Sequence, residues 1–144
     1  MIRKMRKSDI LEVTKLALLL WGDHSFADLQ QEFETFHKLS KMIHFFALED
    51  KQIVGFSQCQ IRKDYVEGTN SSPVGYLEGI YVLPQYRHQG LARKLVEACE
   101  NWSRSKNCEE FASDCELTNQ DSFLFHTSVG FEVANRVICF VKKL

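Results

Sequence analysis

The segment Arg87-His88-Gln89-Gly90-Leu91-Ala92 follows an apolar run, Val74-Gly75-Tyr76-Leu77-Glu78-Gly79-Ile80-Tyr81-Val82, across a proline turn, Leu83-Pro84-Gln85-Tyr86. This order reads as strand, turn and helix start. Backbone N–H groups in a first helical turn have no intrahelical partner, and the macrodipole adds partial positive charge there, so such a start suits an anion. Gly90 lets a phosphate approach the backbone closely. Two carboxylates have chemistry to offer nearby. Glu78 lies within an otherwise apolar strand, where an unpaired charge is costly to bury, so it serves either a site or a structural ion pair. Asp114 ends a short apolar run, where an aspartate ordinarily caps the next turn.

These residues need elements to hold them. Met1 to Met5 alternates as a short first strand, and Ser8 has the character of an N-cap for a helix from Asp9 to Leu20, with Ile10, Val13, Leu16, Ala17 and Leu20 at helical spacing. Gly22 and polar neighbours break it. A second amphipathic helix is expected from Phe26 to Leu39 with Leu29, Phe33 and Phe36 on one face, and Trp21 at the junction reads first as a core residue covering the sheet edge. His44–Glu49 and Ile53–Lys63 form an antiparallel hairpin, the second strand carrying Ile53, Gly55, Ser57, Cys59 and Ile61 on one side. Asp64 to Pro73 is a polar loop long enough to carry function. The central strand follows, then a helix to Ser105 with Leu91, Leu95, Ala98, Cys99 and Trp102 inward, a strand over Glu110–Asp114, a helix over Asn119–Val129, and closing strands over Glu132–Lys142. The order β-α-α-β-β-β-α-β-α-β-β indicates a mixed α/β sheet with helices on its faces.

At 144 residues, 44% apolar and 26% charged, the chain has the size and composition of one globular domain. Its net charge of −1 argues against a nucleic-acid surface, which needs basic excess. No run approaches a membrane span, and Leu16–Trp21 is too short and too late for a secretory core. Five cysteines, an odd number without metal-ligand spacing, are expected to be reduced thiols in a cytoplasmic protein with no metal.

The spacing Arg87-x-x-Gly90-x-Ala92 after a strand resembles the pyrophosphate signature of the GNAT family of acetyl-CoA-dependent N-acetyltransferases, and the similarity extends over the whole chain, including Asn119 and Gly130-Phe131. A narrower resemblance joins it. Asp64-Tyr65-Val66-Glu67-Gly68, Ser71-Ser72-Pro73-Val74, Leu77-Glu78-Gly79-Ile80-Tyr81-Val82-Leu83-Pro84 and Ala112-Ser113-Asp114 are similar, in that order, to aminoglycoside 6′-N-acetyltransferases, which inactivate these antibiotics.

The resemblance implies the GNAT fold, a mixed, mostly antiparallel sheet flanked by helices, with acetyl-CoA as co-substrate and an aminoglycoside as acceptor. A polycation with hydroxylated rings requires carboxylates and aromatic faces. By similarity Trp21 and Tyr65 contact the drug, replacing the core reading of Trp21, while Glu78 and Asp114 bind its amino groups; for Tyr65 ordinary loop packing stays open. A neutral amine must attack the thioester, so a base is needed; Asp114 or Glu78 is the candidate, with Asp114 preferred. Backbone N–H groups near Tyr81 and Val82 would stabilise the oxyanion. Cofactor contacts are expected from Tyr81, Val82 and Leu83, from Arg87, His88, Gln89, Gly90, Leu91 and Ala92, and from Asn119. His126 stands where many relatives have a tyrosine to protonate the leaving thiolate, and either serves as that acid or packs on its helix. Asn135 occupies a position where relatives can have an acidic drug-binding residue.

His24 borders the expected acceptor cleft, whereas His37 and His44 read as surface or half-buried structural residues. The cofactor motif alone admits another amine as acceptor, such as a polyamine or a protein N-terminus, or a non-catalytic acyl-CoA-binding module. Apolar residues on both faces of Val137–Val141 require cover on both, and related enzymes pair through C-terminal strands, so a homodimer is expected with Asn135 near a shared cleft.

Overall fold

A computed structural model describes residues 1–144. Five strands, β1 (Ile2–Lys4), β2 (Met42–Glu49), β3 (Gln52–Arg62), β4 (Val74–Val82) and β5 (Phe111–Ser113), form one sheet in the order β1-β2-β3-β4-β5. The first four pair antiparallel, and β4 pairs parallel with β5. Helices α1 (Ile10–Leu20) and α2 (Phe26–Phe36) cover one face, α3 (Leu91–Ser105) covers the other, and α4 (Gln120–Ser128) follows β5.

Each face has its own apolar core. Val13, Ala17, Leu29 and Phe33 from α1 and α2 pack on Phe46 and Phe56, while Leu91, Leu95, Val96 and Cys99 of α3 pack on Phe45, Val54, Leu77 and Val82. Burying each of these larger side chains contributes roughly 1.5–3 kcal/mol. Val96 joins the inward stripe of α3 as a fully buried residue, while Ala98 and Trp102 lie at its margin.

The expected elements recur with four corrections. Ser8 does not cap α1: Lys7–Asp9 is a 3₁₀ turn, and Asp9 precedes the helix, its carboxylate accepting the Arg6 N–H at 2.7 Å and pairing with Arg3. The second helix ends at Phe36 rather than Leu39. The single alternation expected along β3 fails because the ladder to β2 skips Val54, so Ile53 packs toward α1 and Cys59 toward α3. Most consequentially, no strand forms over Glu132–Lys142; the backbone there finds no ladder partner, and Ile138, Phe140 and Val141 are exposed by 73%, 92% and 95%.

A second bulge shapes the centre. The β3–β4 register pairs Cys59 with Leu77 and Gln58 with Gly79, leaving Glu78 as an extra residue in β4. Gly75 meets Ser103 of α3, and Leu77, Ile80 and Val82 also pack on the α3 side, whereas Gly79 meets Trp21 and Tyr81 packs toward α1. Glu78 and Gly79 therefore fall successively on the face away from α3.

Candidate active site

Strands β4 and β5 are paired only from Gly75↔Phe111 to Leu77↔Ser113. Beyond Leu77, β4 runs on to Val82 with its β5-side edge unpaired, so the two strand ends open a slot in the sheet. One end of this slot meets the turn into α3. Pro84–Tyr86 form a 3₁₀ turn, His88 has φ 60°, and Gly90 has φ 79° in the left-handed region that favours glycine. Gly90 accepts the Lys94 N–H at 3.1 Å and is the N-cap, so α3 starts at Leu91 and the N–H groups of Leu91, Ala92 and Arg93 lack intrahelical partners. A Cβ placed at Gly90 would have no protein atom within 4 Å. The turn therefore presents bare backbone donors to open space, which fits a phosphate.

Arg87, expected at this turn, points partly inward: its Nε donates to the Val82 carbonyl at 2.8 Å and its guanidinium lies 5.3 Å from the Tyr81 ring centre. It ties the end of β4 to the turn. The Val82 backbone faces the slot, whereas the Leu83 N–H bonds the Val54 carbonyl of β3 at 2.9 Å; Gln89 donates to Gln85 at 3.4 Å and His88 is exposed. Asn119 caps α4, its Oδ1 accepting the Ser122 N–H at 3.1 Å.

On the opposite face from α3 the expected acceptor residues converge. The Trp21 ring lies against Gly79 and edge-on to Phe56, ring centres 6.0 Å apart, so it packs on the core and covers β4 where that strand's β5-side edge is unpaired. Glu78 is held by Arg62, whose Nε and Nη2 both donate to Oε1, at 3.0 and 2.7 Å. Of the two expectations for Glu78, the structural ion pair is present. Arg62 also lies 3.5 Å from the centre of the Tyr76 ring, and the Tyr76 hydroxyl donates to Asp114 Oδ2. Burial first, then the bond to Asp114, pushes the Tyr76 phenol above its ordinary range. Asp114 does not cap a turn; its one side-chain bond is to Tyr76.

The polar loop borders this group. Val66 packs on Val74 and Tyr76, Glu110 accepts from the Asn70 N–H and the Ser71 hydroxyl, and Tyr65 projects outward, 78% exposed, its hydroxyl donating to Glu67 at 3.3 Å. Loop packing is therefore not the role of Tyr65. Asn135 reaches the same loop, Nδ2 donating to Glu67 Oε1 at 3.1 Å, and a Cβ on Gly68 would collide with Ala134. His24 is exposed and bonds Asp23.

His126 has both ring nitrogens engaged. Nδ1 donates to the Ser122 carbonyl at 2.7 Å, so in the neutral ring Nε2 accepts from the Ser113 hydroxyl at 2.8 Å. It is half-buried between Phe125 and Phe131. His44 departs from the surface expectation: it is buried, stacks with Phe36, and bonds Gln58 at 3.1 Å, with burial lowering its pKa to about 4.

Arg62, Tyr76, Glu67 and Ser113 were not singled out in the sequence. Arg62 ends β3 and Tyr76 lies in β4, so their contact depends on strand register.

Residues 13–131 match the acetyltransferase (GNAT) family. The aminoglycoside N(6′)-acetyltransferase type 1 of Acinetobacter baumannii is 36% identical over 143 residues, covering 99% of this chain and 98% of the relative. That of Acinetobacter genomosp. 13 is 42% identical over 130 residues, covering 90% and 88%. Among solved structures, AAC(6′)-Iy in complex with the bisubstrate analogue CoA-S-monomethyl-acetylneamine superposes with a TM-score of 0.96 at 37% identity, covering 100% of this chain and 98% of that one.

Proposed function

The chain belongs to the acetyltransferase (GNAT) family, from which we propose that it is an aminoglycoside 6′-N-acetyltransferase, moving the acetyl group of acetyl-CoA to the 6′-amino group of the antibiotic and so conferring resistance. The observation that carries this reading is the near-complete superposition on a relative holding both substrate halves in one analogue, CoA joined to acetylneamine. We take residues 1–144 as a single catalytic domain.

Acetyl-CoA supplies an activated acyl carbon. The bare donors after Gly90 suit its pyrophosphate, and the unpaired β4 edge near Tyr81 and Val82 offers the Val82 N–H to negative charge developing on the acetyl oxygen. Leu83 and the turn from Arg87 to Ala92 complete the cofactor side, with Asn119 at its far end.

The acceptor arrives as a polycation. Glu78 and Asp114 offer carboxylates, and Trp21 and Tyr65 offer ring faces to the sugars. Asp114 is the base: it is exposed, and only Oδ2 is engaged, by Tyr76. For His126 to act as the acid it must be the imidazolium, with Nδ1–H on the Ser122 carbonyl and Nε2–H donated to Ser113 Oγ, whose own hydroxyl proton, held by the Leu77 carbonyl at 3.2 Å, then passes to the leaving thiolate.

We further propose a homodimer built on the C-terminal segment. Val137, Ile138, Phe140 and Val141 have no cover within one chain, and a second copy can supply both the missing ladder and the apolar contact. Asn135, tied to the acceptor loop through Glu67, then lies near the joint.

A steady-state assay tests the activity. Thiol release from acetyl-CoA with kanamycin, and none with spermidine or an N-terminal peptide, is expected; release only with the latter two, or none despite cofactor binding, would overturn the assignment.

A further inference from the structure

A continuous line of side chains crosses three strands. Glu78 Oε1 receives Arg62, Arg62 lies flat over Tyr76, and Tyr76 donates to Asp114. The two carboxylates read as acceptor contacts are thus joined through a cation and a phenol.

The members differ in freedom. Asp114 is exposed and follows the last paired residue of β5, so its side chain has little of its own to fix it. The Tyr76 ring is buried, 6% exposed, among Val66, Val74 and Ala112, and Arg62 covers its remaining face. Tyr76 is consequently a rigid donor aimed at a loose acceptor.

We propose that Tyr76 and Arg62 are positioning residues that fix Asp114 with Oδ1 free for the acceptor ammonium, so that the pH profile of amine deprotonation depends on both. A hydroxyl donated to Oδ2 stabilises the carboxylate over the carboxylic acid and leaves Oδ1 to take the proton of the amine. Arg62 acts twice. It packs the phenol in place, and it pairs with Glu78, the other carboxylate read as an acceptor contact. The charged groups facing Tyr76 are Asp114 beyond β5, Arg62 from β3 and Glu78 from β4, and only Arg62 is positive.

This rests on the reading of Asp114 as the base. The test compares pH profiles of kcat and kcat/KM with kanamycin at saturating acetyl-CoA for the unmodified enzyme, Tyr76→Phe, Arg62→Gln, Arg62→Lys and Asp114→Asn, with thermal melting as a check on folding. The acceptor amine titrates identically in every assay, so a shift between variants belongs to the enzyme. Tyr76→Phe is expected to raise the acidic limb by about one pH unit and lower plateau kcat about tenfold, with the acetyl-CoA KM unchanged. Arg62→Gln should raise the same limb, and Arg62→Lys, which keeps the charge, should recover most of that shift. A folded Tyr76→Phe enzyme with an unmoved limb would overturn the proposal while a dead Asp114→Asn enzyme left the base assignment standing. Near-normal turnover in Asp114→Asn would instead remove the base assignment, and with it the proposal. Should Tyr76→Phe fail to fold, an unmoved limb in Arg62→Gln decides against it.

Discussion

The Trp21 indole rests on the backbone of Gly79: a methyl group added there would stand 2.5 Å from Trp21 Cζ2 and 2.8 Å from Cη2. These contacts are too close to be absorbed without moving the ring. Gly79 has no left-handed φ, so steric conflict alone governs a substitution. Gly79→Ala should therefore displace Trp21, raise the aminoglycoside KM about tenfold and leave the acetyl-CoA KM within about twofold. Steady-state kinetics with each substrate varied in turn checks the split.

Gly90 presents the opposite case, with strain but no neighbour. A side chain there meets open space while the backbone holds φ 79°. Gly90→Val should cost about 1–2 kcal/mol of stability from the left-handed backbone and weaken acetyl-CoA binding by more than that, about 100-fold. Calorimetric titration beside thermal melting separates the losses. Unchanged cofactor affinity in the folded variant would exclude this turn as the phosphate site.

Glu78 and Asp114 should separate in kinetics. Asp114→Asn is expected to lower kcat by about 100-fold or more, whereas Glu78→Gln should act mainly by raising the drug KM. A reversed pattern would make Glu78 the base.

Buried His44 predicts acid sensitivity. Its native pKa is lowered from 6.5 to about 4, so the folded protein holds it neutral while the unfolded chain takes a proton below 6.5. The stability it contributes is present above pH 6.5 and lost as pH falls toward 4, by roughly 3 kcal/mol. His44→Gln should flatten this part of the denaturation profile, measured by urea melts from pH 7.5 to 4.5; an unchanged slope would show that other groups carry it.

Assembly is tested at the C-terminus. Light scattering should give twice the 16.7 kDa chain mass at micromolar concentration, and Ile138→Lys with Phe140→Lys should give monomers with impaired drug binding. A fully active monomer would exclude a shared cleft.

The legible parts of the chain were those whose signals are local. Pro84 and Gly90 punctuate the path from β4 to α3, and helical spacing marks Val13, Ala17, Leu29 and Phe33. Candidate residues could be named wherever type and motif sufficed, as for Glu78, Asp114 and Trp21. Arg62 could not be found this way, because its meeting with Tyr76 depends on the register that sets Arg62 opposite Val74 and Gln60 opposite Tyr76, and nothing nearby in sequence marks which residues of two strands face each other. The C-terminal segment departs from expectation for a related reason: Val137–Val141 has strand composition, but composition does not dock a strand on an edge, and this segment stays unpaired and exposed although the sheet ends in open edges at β1 and β5.

The extra residue at Glu78 has a bearing on how such enzymes diversify. It offsets the alternation of the first half of β4, which carries Tyr76 and Glu78, from that of the second half, which carries Tyr81 and Val82. Substitutions at 76 and 78 can change which amines are accepted while the backbone edge at Val82 stays in place. Deleting that one residue would reverse the facing of one half relative to the other. Acceptor range can accordingly drift by point mutation, whereas single-residue deletions within this strand should be absent from functional descendants.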